Sequence, residues 1–481
     1  MARTSKRFWL LMALCGVMWL WVIFGSLKEE THSRLRHSVE SQHLALALSK
    51  LNTNQSKLAV LIPFYGSEWP PWMSYLLLSC ARNPTIDWIF FIEANSNLII
   101  PPHAENIRFF ELQGRSAMAH LFGQKVARAI REDRLRNRAT ELISWWDPWG
   151  TQGEHSEEAA YTRGFEKAFA KHGGYVLTDY KSLFGYVFGD HLERKDGEGR
   201  YTHWAWADMD IVWGDLERWI EEDEWGDYDI VSYSFGDNRA AYLRGQFTMF
   251  RNDPTVNLLW MQCPLLTQVG PLPSTQISDE RCFSYNIFRH NVYNNDNEGK
   301  DNNDNNKKLR VKIATKQFAP WDEDRDAYYW FNGTINECPG GDEEAFWKCY
   351  KERLSQKSHH KEGPGNKKDN RTPPLVLMGP REEVEVETAE CVRWVGMQYL
   401  TCLRMGDEEW RHNLYFIDGR FYKQRFAYPD VGRRAFLHFK YWKDKADTFV
   451  VQDLPPPLLD SLNGFKIDYT GIKPIVDPSL Q

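Results

Sequence analysis

Asp208 and Asp210 form an Asp-x-Asp pair between two apolar runs, HWAWA (203–207) and IVWG (211–214). Carboxylates at the mouth of a buried strand need a cation or a partner, because unpaired buried charge is expensive. A divalent ion bridging the pair to a diphosphate would meet that need. The alternative is a strand-end pair satisfied by backbone N–H groups or by an arginine. The triplet alone is weak evidence, since the spacing recurs at Asp227/Asp229, Asp322/Asp324 and Asp324/Asp326. Asp227/Asp229 follows the acidic run EEDEWG as a turn before the strand DIVSYS, and the Asp322–Asp326 cluster sits in a polar stretch, so context singles out Asp208 and Asp210. His438, in AFLHFKYWK (435–443), is a candidate third ligand. An imidazole joining two carboxylates suits Mn2+ better than Ca2+; the alternative is a satisfied core histidine.

Positioning such a pair requires a sheet. LAVLIPFY (58–65), DWIFFIEA (87–94) and NIRFFEL (106–112) read as buried strands by their apolar runs, with Gly66 to Pro71 a turn and YLLLSC (75–80) a helix between the first two. Strand, helix, strand in so short a span predicts a parallel α/β sheet that binds ligands at the carboxyl ends of its strands. A charged helical stretch follows (about 115–172), then a short helix pair in 174–192, then strand, turn and helix start over 202–220. Residues 294–308 and 355–374 are polar, rich in turn formers and unable to build a core, and they read as surface insertions. LVLMG (375–379) resumes strand patterning.

At the N-terminus, Phe8 to Leu27 is an uncharged apolar run, long enough at about 1.5 Å per residue to cross roughly 30 Å of bilayer. Arg3, Lys6 and Arg7 precede it, and Lys28, Glu29 and Glu30 follow, so the positive-inside bias keeps residues 1–7 in the cytosol. The expectation is a type II signal-anchor at 8–27, a polar stem at 28–56 and a luminal domain over 57–481; a cleaved signal peptide is the competing reading. The triplets at Asn54, Asn332 and Asn370 have the form of glycosylation acceptors and fit a secretory lumen. One of the 8 cysteines, Cys15, lies in the membrane run, which leaves an odd number outside it. Cys263 with Cys282, Cys338 with Cys349 and Cys391 with Cys402 are plausible local bridges, and none has zinc-site spacing. A net charge of −7 over 481 residues lacks the positive excess that phosphate-backbone binding uses, which argues against nucleic acid as partner.

A luminal α/β domain with a strand-end Asp-x-Asp suggests a nucleotide-sugar glycosyltransferase whose Mn2+ or Mg2+ would neutralise the leaving diphosphate. Two other readings stay open. One is a non-catalytic carbohydrate-binding ectodomain whose aromatic faces stack on sugars; the other is a metal-dependent sugar-phosphate transferase or phosphodiesterase.

NPTIDWIFFIE (83–93), YVLTDYKSLFGYVFGDHL (175–192), WADMDIVWGDLERWI (206–220) and GQFTMFRN (245–252) together resemble, in the same order, the segments of a mainly bacterial family of Asp-x-Asp glycosyltransferases. Ser182, Met209 and Gln246 stand where that family usually has Pro, Ile and His. The resemblance implies a GT-A-like fold, a Rossmann-like nucleotide-binding sheet, and it implies roles. Pro63, Phe64 and Tyr65 would lie against the nucleotide, or be ordinary core. Glu93 would accept hydrogen bonds from base or ribose, or be a surface strand-end acid. Lys181 would meet the donor diphosphate, or be solvated surface, with Lys440 as a further phosphate contact. Asp279 or Glu280 would deprotonate the acceptor hydroxyl if configuration is inverted, unless they simply open a helix capped by Ser278. Gly245, Gln246 and Thr248 would line the acceptor side. The expected partners are a nucleotide-sugar donor and a glycan acceptor, and the anchor at 8–27 makes the Golgi membrane the expected address, with the ER and the cell surface as alternatives. Trp204, Trp206 and Trp213 flank the acidic pair and read first as packing that holds it.

Overall fold

The computed structural model describes residues 58–137 (except 97), 154–193, 199–235, 240–267, 279–293, 309–318, 327–331, 334–338, 344, 347–349, 351–352, 376–384, 386–387, 393–394, 397–398, 402–404, 412–417, 420–427, 433–443, 449–453 and 464–475. The apolar run 8–27, the stem, the three candidate glycosylation asparagines Asn54, Asn332 and Asn370, Cys391, the Asp322–Asp326 cluster and both polar insertions lie outside these residues. Among the described residues no helix is long and apolar enough to cross a membrane.

Strand β1 (Leu58–Pro63) leads through helix α1 (Met73–Ala81) to β2 (Ile86–Glu93) and then β3 (Ile107–Leu112), all parallel. The expected strand, helix and strand are therefore present within a few residues of their predicted bounds. Side chains alternate across β1. Ala59 and Leu61 pack into one apolar layer with Phe122 of α2 (Ala117–Asn137) and Phe165 of α3 (Glu154–His172). Val60 and Ile62 pack into the other with Leu76 and Leu77 of α1. Continuous apolar runs arise because both faces of the sheet are covered.

The chain then crosses to the opposite side of β1. Residues 175–191 form four short helical turns, Tyr175–Asp179, Lys181–Leu183, Phe184–Val187 and Gly189–His191, rather than a pair of helices. They are followed by β4 (His203–Ala207), which pairs with β1 in parallel, and by β5 (Ile211–Trp213). Strands β6 (Ile230–Ser234), β7 (Phe247–Arg251) and β8 (Val311–Thr315) extend the sheet. Its order is β3-β2-β1-β4-β7-β6-β8, continued by His412–Ile417, Arg420–Ala427 and Val376–Val384. The β7 strand is antiparallel to both β4 and β6, so the sheet is mixed. The chain is accordingly a mixed α/β protein.

Among the described residues there are four smaller sheets, two of them larger than a strand pair. One joins Thr334–Cys338, Ala327–Phe331, Gly464–Asp468 and Gly471–Pro474. The other sets Phe436–His438 between β5 and Gln317–Phe318. Disulfides close Cys263–Cys282 and Cys338–Cys349, as the spacing suggested, and Cys80 is a buried free thiol.

Candidate metal centre at the switch point of the sheet

Because β2 lies on one side of β1 and β4 on the other, the strand order reverses at β1. The crevice outside the carboxyl ends of β1 and β4 is where an open α/β sheet binds its ligand. The register that pairs Leu61 with Trp206, continued by two residues, brings Pro63 level with Asp208. Pro63 with Phe91, and Glu93 with Leu112, extend the same edge across β2 and β3.

Asp208 follows β4, and Asp210 opens β5. Between them the carbonyl of Met209 accepts from Trp72 Nε1 at 2.8 Å, which pins the turn to the residue preceding α1. Strand Phe436–His438 pairs antiparallel with β5 and puts His438 opposite Ile211; one residue on, the Phe439 N–H donates to the Asp210 carbonyl at 3.2 Å. Backbone pairing thus delivers the imidazole to the carboxylates. Phe436 anchors that pairing against Trp213, with ring centroids 5.0 Å apart. Trp204, Trp206 and Trp213 are all buried, as the packing assignment expected, and Trp206 Nε1 donates to the Arg244 carbonyl at 3.0 Å.

Each carboxylate gives one oxygen to a lysine. Lys181 Nζ donates to Asp208 Oδ1 at 2.6 Å, and Lys443 Nζ lies 2.8 Å from Asp210 Oδ2. The other oxygens face His438: its Nε2 is 3.3 Å from Asp210 Oδ1 and 3.8 Å from Asp208 Oδ2. This nitrogen is buried and has no hydrogen-bond partner among the described residues, so the approach is close without hydrogen-bond alignment. A nitrogen and two oxygens at such spacings are what one divalent ion with bonds of about 2.0–2.2 Å would gather. The donor set, two carboxylates and an imidazole, could hold a divalent cation. Burial pushes the Asp210 carboxyl up, but the neighbouring His438 and then Lys443 outweigh it and hold the group well below the usual carboxylate range.

A second acidic group, Glu221, Asp223 and Glu224, also converges. Here ammonium groups already stand where an ion would. Lys312 Nζ lies 2.6 Å from Glu221 Oε2, 3.2 Å from Asp223 Oδ1 and 3.0 Å from Glu224 Oε1, while Lys316 Nζ lies 2.6 Å from Glu224 Oε1. Both lysines are fully buried, so this cluster is a structural ion network.

The remaining predicted residues fall in three places. Lys181, Gly245, Gln246 and Glu280 join the centre: Lys181 also donates to the Gly245 carbonyl at 2.7 Å, the Asp208 N–H donates to the Gln246 carbonyl at 3.0 Å, and the Gly245 N–H donates to Glu280 Oε1 at 3.0 Å. Pro63, Phe64, Tyr65 and Glu93 share the sheet edge, but their groups are partly committed. Phe64 stacks on Trp69 at 4.8 Å, Tyr65 lies against Phe169 at 4.6 Å, and Glu93 Oε1 accepts from the Met118 N–H at 3.0 Å in the first turn of α2. Burial first, and then the Glu93 charge, raise the Tyr65 hydroxyl above its ordinary pKa.

Two predicted residues stand apart. Thr248 is fully buried, its hydroxyl donating to the Arg244 carbonyl at 2.8 Å and touching Ser232 Oγ at 2.8 Å, so it offers no surface to an acceptor. Lys440 is exposed at the start of the turn Lys440–Lys443, whose last residue makes the ion pair instead. The Asp279 side chain lies outside the described residues. Sequence reasoning missed Lys443, which sits in the His438 segment one helical turn beyond Lys440, and Trp72, for which no sequence signal existed.

The fold and the site define a mixed α/β protein with a carboxylate–imidazole group at the sheet's switch point that could hold a metal ion. Residues 157–353 match a family described as a family of unknown function, DUF6625. That stretch holds Lys181, Asp208, Asp210, Gly245 and Glu280 and ends before His438 and Lys443. No curated protein matches the chain.

Proposed function

We propose that this chain is a metal-dependent glycosyltransferase with a GT-A-like fold, which moves a sugar from a nucleotide-sugar donor to a glycan, glycoprotein or glycolipid acceptor. One observation carries the reading: two carboxylate oxygens and an unbonded imidazole nitrogen converge at the switch point while two lysines hold the opposite carboxylate oxygens. The lysines offset the two carboxylate charges, so a divalent cation would leave the centre net positive and suited to an anionic ligand such as a diphosphate. Held by Asp208, Asp210 and His438, Mn2+ or Mg2+ would offset the charge that builds on the diphosphate as the sugar departs. Lys181 and Lys443 orient the ligands and add positive charge at the same point. Pro63, Phe64, Tyr65 and Glu93 lie on the edge where the nucleoside would rest, and, with Glu280 engaged by the Gly245 N–H, Asp279 would supply the base of an inverting reaction. Gly245 and Gln246 would border the acceptor. The uncharged run 8–27 supports a type II anchor and a Golgi address.

The test is a nucleotide-sugar panel on the purified full chain in detergent, with and without Mn2+, reading donor hydrolysis and sugar transfer. Turnover that needs the cation and is lost in Asp210→Asn supports the proposal. Diphosphate cleavage without sugar transfer would favour a sugar-phosphate transferase or phosphodiesterase. Sugar binding that needs no metal, with no donor turnover, would leave a carbohydrate-binding ectodomain.

A further inference from the structure

Segment 243–246 runs beside the metal centre with its backbone polar groups taken up by defined partners. Leu243 N–H donates to Ser284 Oγ at 2.9 Å, Arg244 N–H to Ser232 Oγ at 2.7 Å, and Gly245 N–H to Glu280 Oε1 at 3.0 Å. The Arg244 carbonyl accepts from Trp206 Nε1 and Thr248 Oγ1, the Gly245 carbonyl from Lys181 Nζ, and the Gln246 carbonyl from the Asp208 N–H. Two of these contacts, at 243 and 245, come from one short stretch of chain. It begins as the π-helical turn Asp279–Phe283 and continues into the helix Ser284–Tyr293. Cys282 lies between the two contacting residues, and its disulfide to Cys263 ties the stretch to the adjoining segment Leu259–Gln262.

We infer that Glu280 is a positioning residue for the metal centre, acting through Gly245 and Lys181 on Asp208, with the Cys263–Cys282 bridge holding it in place. The inference rests on the metal-centre reading above and narrows one part of it, because it leaves proton abstraction to another group. Gly245 stands between the two charges: its N–H, in the 244–245 peptide, donates to the Glu280 carboxylate, and its carbonyl, in the 245–246 peptide, accepts from the Lys181 ammonium. The two peptides meet at the Gly245 Cα, so holding the first helps fix where the second presents its carbonyl to Lys181. Lys181 in turn occupies Asp208 Oδ1 and leaves Oδ2 turned toward His438. Without Glu280 the Gly245 N–H loses its acceptor, the backbone at Gly245 is less well held, and the carbonyl that Lys181 uses is less firmly placed. Asp208 is then less well oriented for a cation. A π-turn is an uncommon backbone element that recurs at functional sites, and here it aims the carboxylate at Gly245.

Glutamine separates positioning from base catalysis. Its side-chain oxygen accepts the Gly245 N–H as glutamate does, but it cannot take up a proton at pH 7. On the full chain, Glu280→Gln is expected to keep Mn2+ affinity and donor turnover within about threefold of wild type, with the acid limb of the pH–rate profile unmoved. Glu280→Ala and the double variant Cys263→Ser/Cys282→Ser are expected to weaken Mn2+ binding, followed by the electron paramagnetic resonance of the bound ion, by roughly tenfold. Circular dichroism checks that each variant is folded. A Glu280→Gln enzyme that binds Mn2+ normally but loses turnover or its acid limb would make Glu280 the base and overturn the inference. Unchanged Mn2+ affinity in a folded Glu280→Ala protein would overturn it as well. Since Mn2+ binding is read without any donor, failure of the glycosyltransferase assignment would appear separately, as absence of turnover in all forms.

Discussion

The Lys443 ammonium lies 2.8 Å from Asp210 Oδ2 and 5.2 Å from the centre of the Trp72 ring, between the carboxylate and the indole that pins the neighbouring turn. It has two opposed effects. It competes by charge with a cation at Asp210, and it attracts the anion that a cation would carry. Lys443→Gln should therefore bind bare Mn2+ tighter, by about three- to tenfold, while its Mn2+-dependent affinity for a nucleoside diphosphate falls by a similar factor. Calorimetric titration with the ion alone and then with the nucleotide checks both signs.

Removal of a ligand charge is expected to act in the other direction. Asp210→Asn keeps the shape of the side chain but leaves Lys443 without its ionised partner. Mn2+ binding should be lost, and stability should fall by about 1–3 kcal/mol, the cost of an unsatisfied buried polar group. Thermal unfolding of the variant, beside an ion titration, separates a lost site from a lost fold.

Acid sensitivity should trace to the Glu221–Lys316 ion network. Burial raises the Glu224 carboxyl, but Lys312 and Lys316, with hydrogen bonds from Lys316 and Tyr233, bring it from 4.5 down to about 2. A carboxyl lowered on folding contributes stability that is complete above its unfolded value. That contribution is lost as pH falls from about 4.5 through about 2. Glu224→Gln also leaves two buried ammonium groups poorly compensated, which should cost about 3–5 kcal/mol at pH 7. The gap between wild type and variant in urea unfolding should narrow steadily below pH 4.5.

Gly185 offers a steric test of how the metal strand is held. A Cβ at this position would fall 2.2 Å from the indole of Trp204 on β4, and the indole is itself fixed by a 2.7 Å hydrogen bond to Asn257 Oδ1. Gly185→Ala should cost about 1–3 kcal/mol through overpacking. Because β4 ends at the acidic pair, it should also weaken Mn2+ binding, whereas an alanine at the unobstructed Gly189 should do neither.

The parallel β1–β2–β3 unit was legible because doubly buried strands write themselves as unbroken apolar runs, and Asp208 and Asp210 stood out because charge so placed requires a partner. His438 was legible as a candidate, but its arrival at Asp210 depends on an antiparallel pairing between distant segments, and no local pattern encodes that register. Thr248 was misjudged as an acceptor contact because it shares with Phe250 the face of β7 that packs into the helical layer, a face its segment alone does not reveal. Lys440 and Lys443 are equal as residue types. Only the turn they share, which directs the second toward Asp210, separates them. That the Phe64 ring is stacked on by Trp69 was not legible, because the contact depends on how the following loop folds back over it.

The pairing of β5 with Phe436–His438 has a consequence for how the protein is made. Ribosomal synthesis delivers Asp208 and Asp210 long before His438 and Lys443, so the acidic pair must wait, incompletely neutralised, while more than 200 residues emerge. A chain halted or clipped ahead of residue 436 would keep most strands of the large sheet, yet lack an imidazole, an ammonium and the strand that seals β5. Premature termination near the carboxyl end should therefore yield a species that is substantially folded, exposes an apolar strand edge beside two carboxylates, and is recognised by the cell as unfinished.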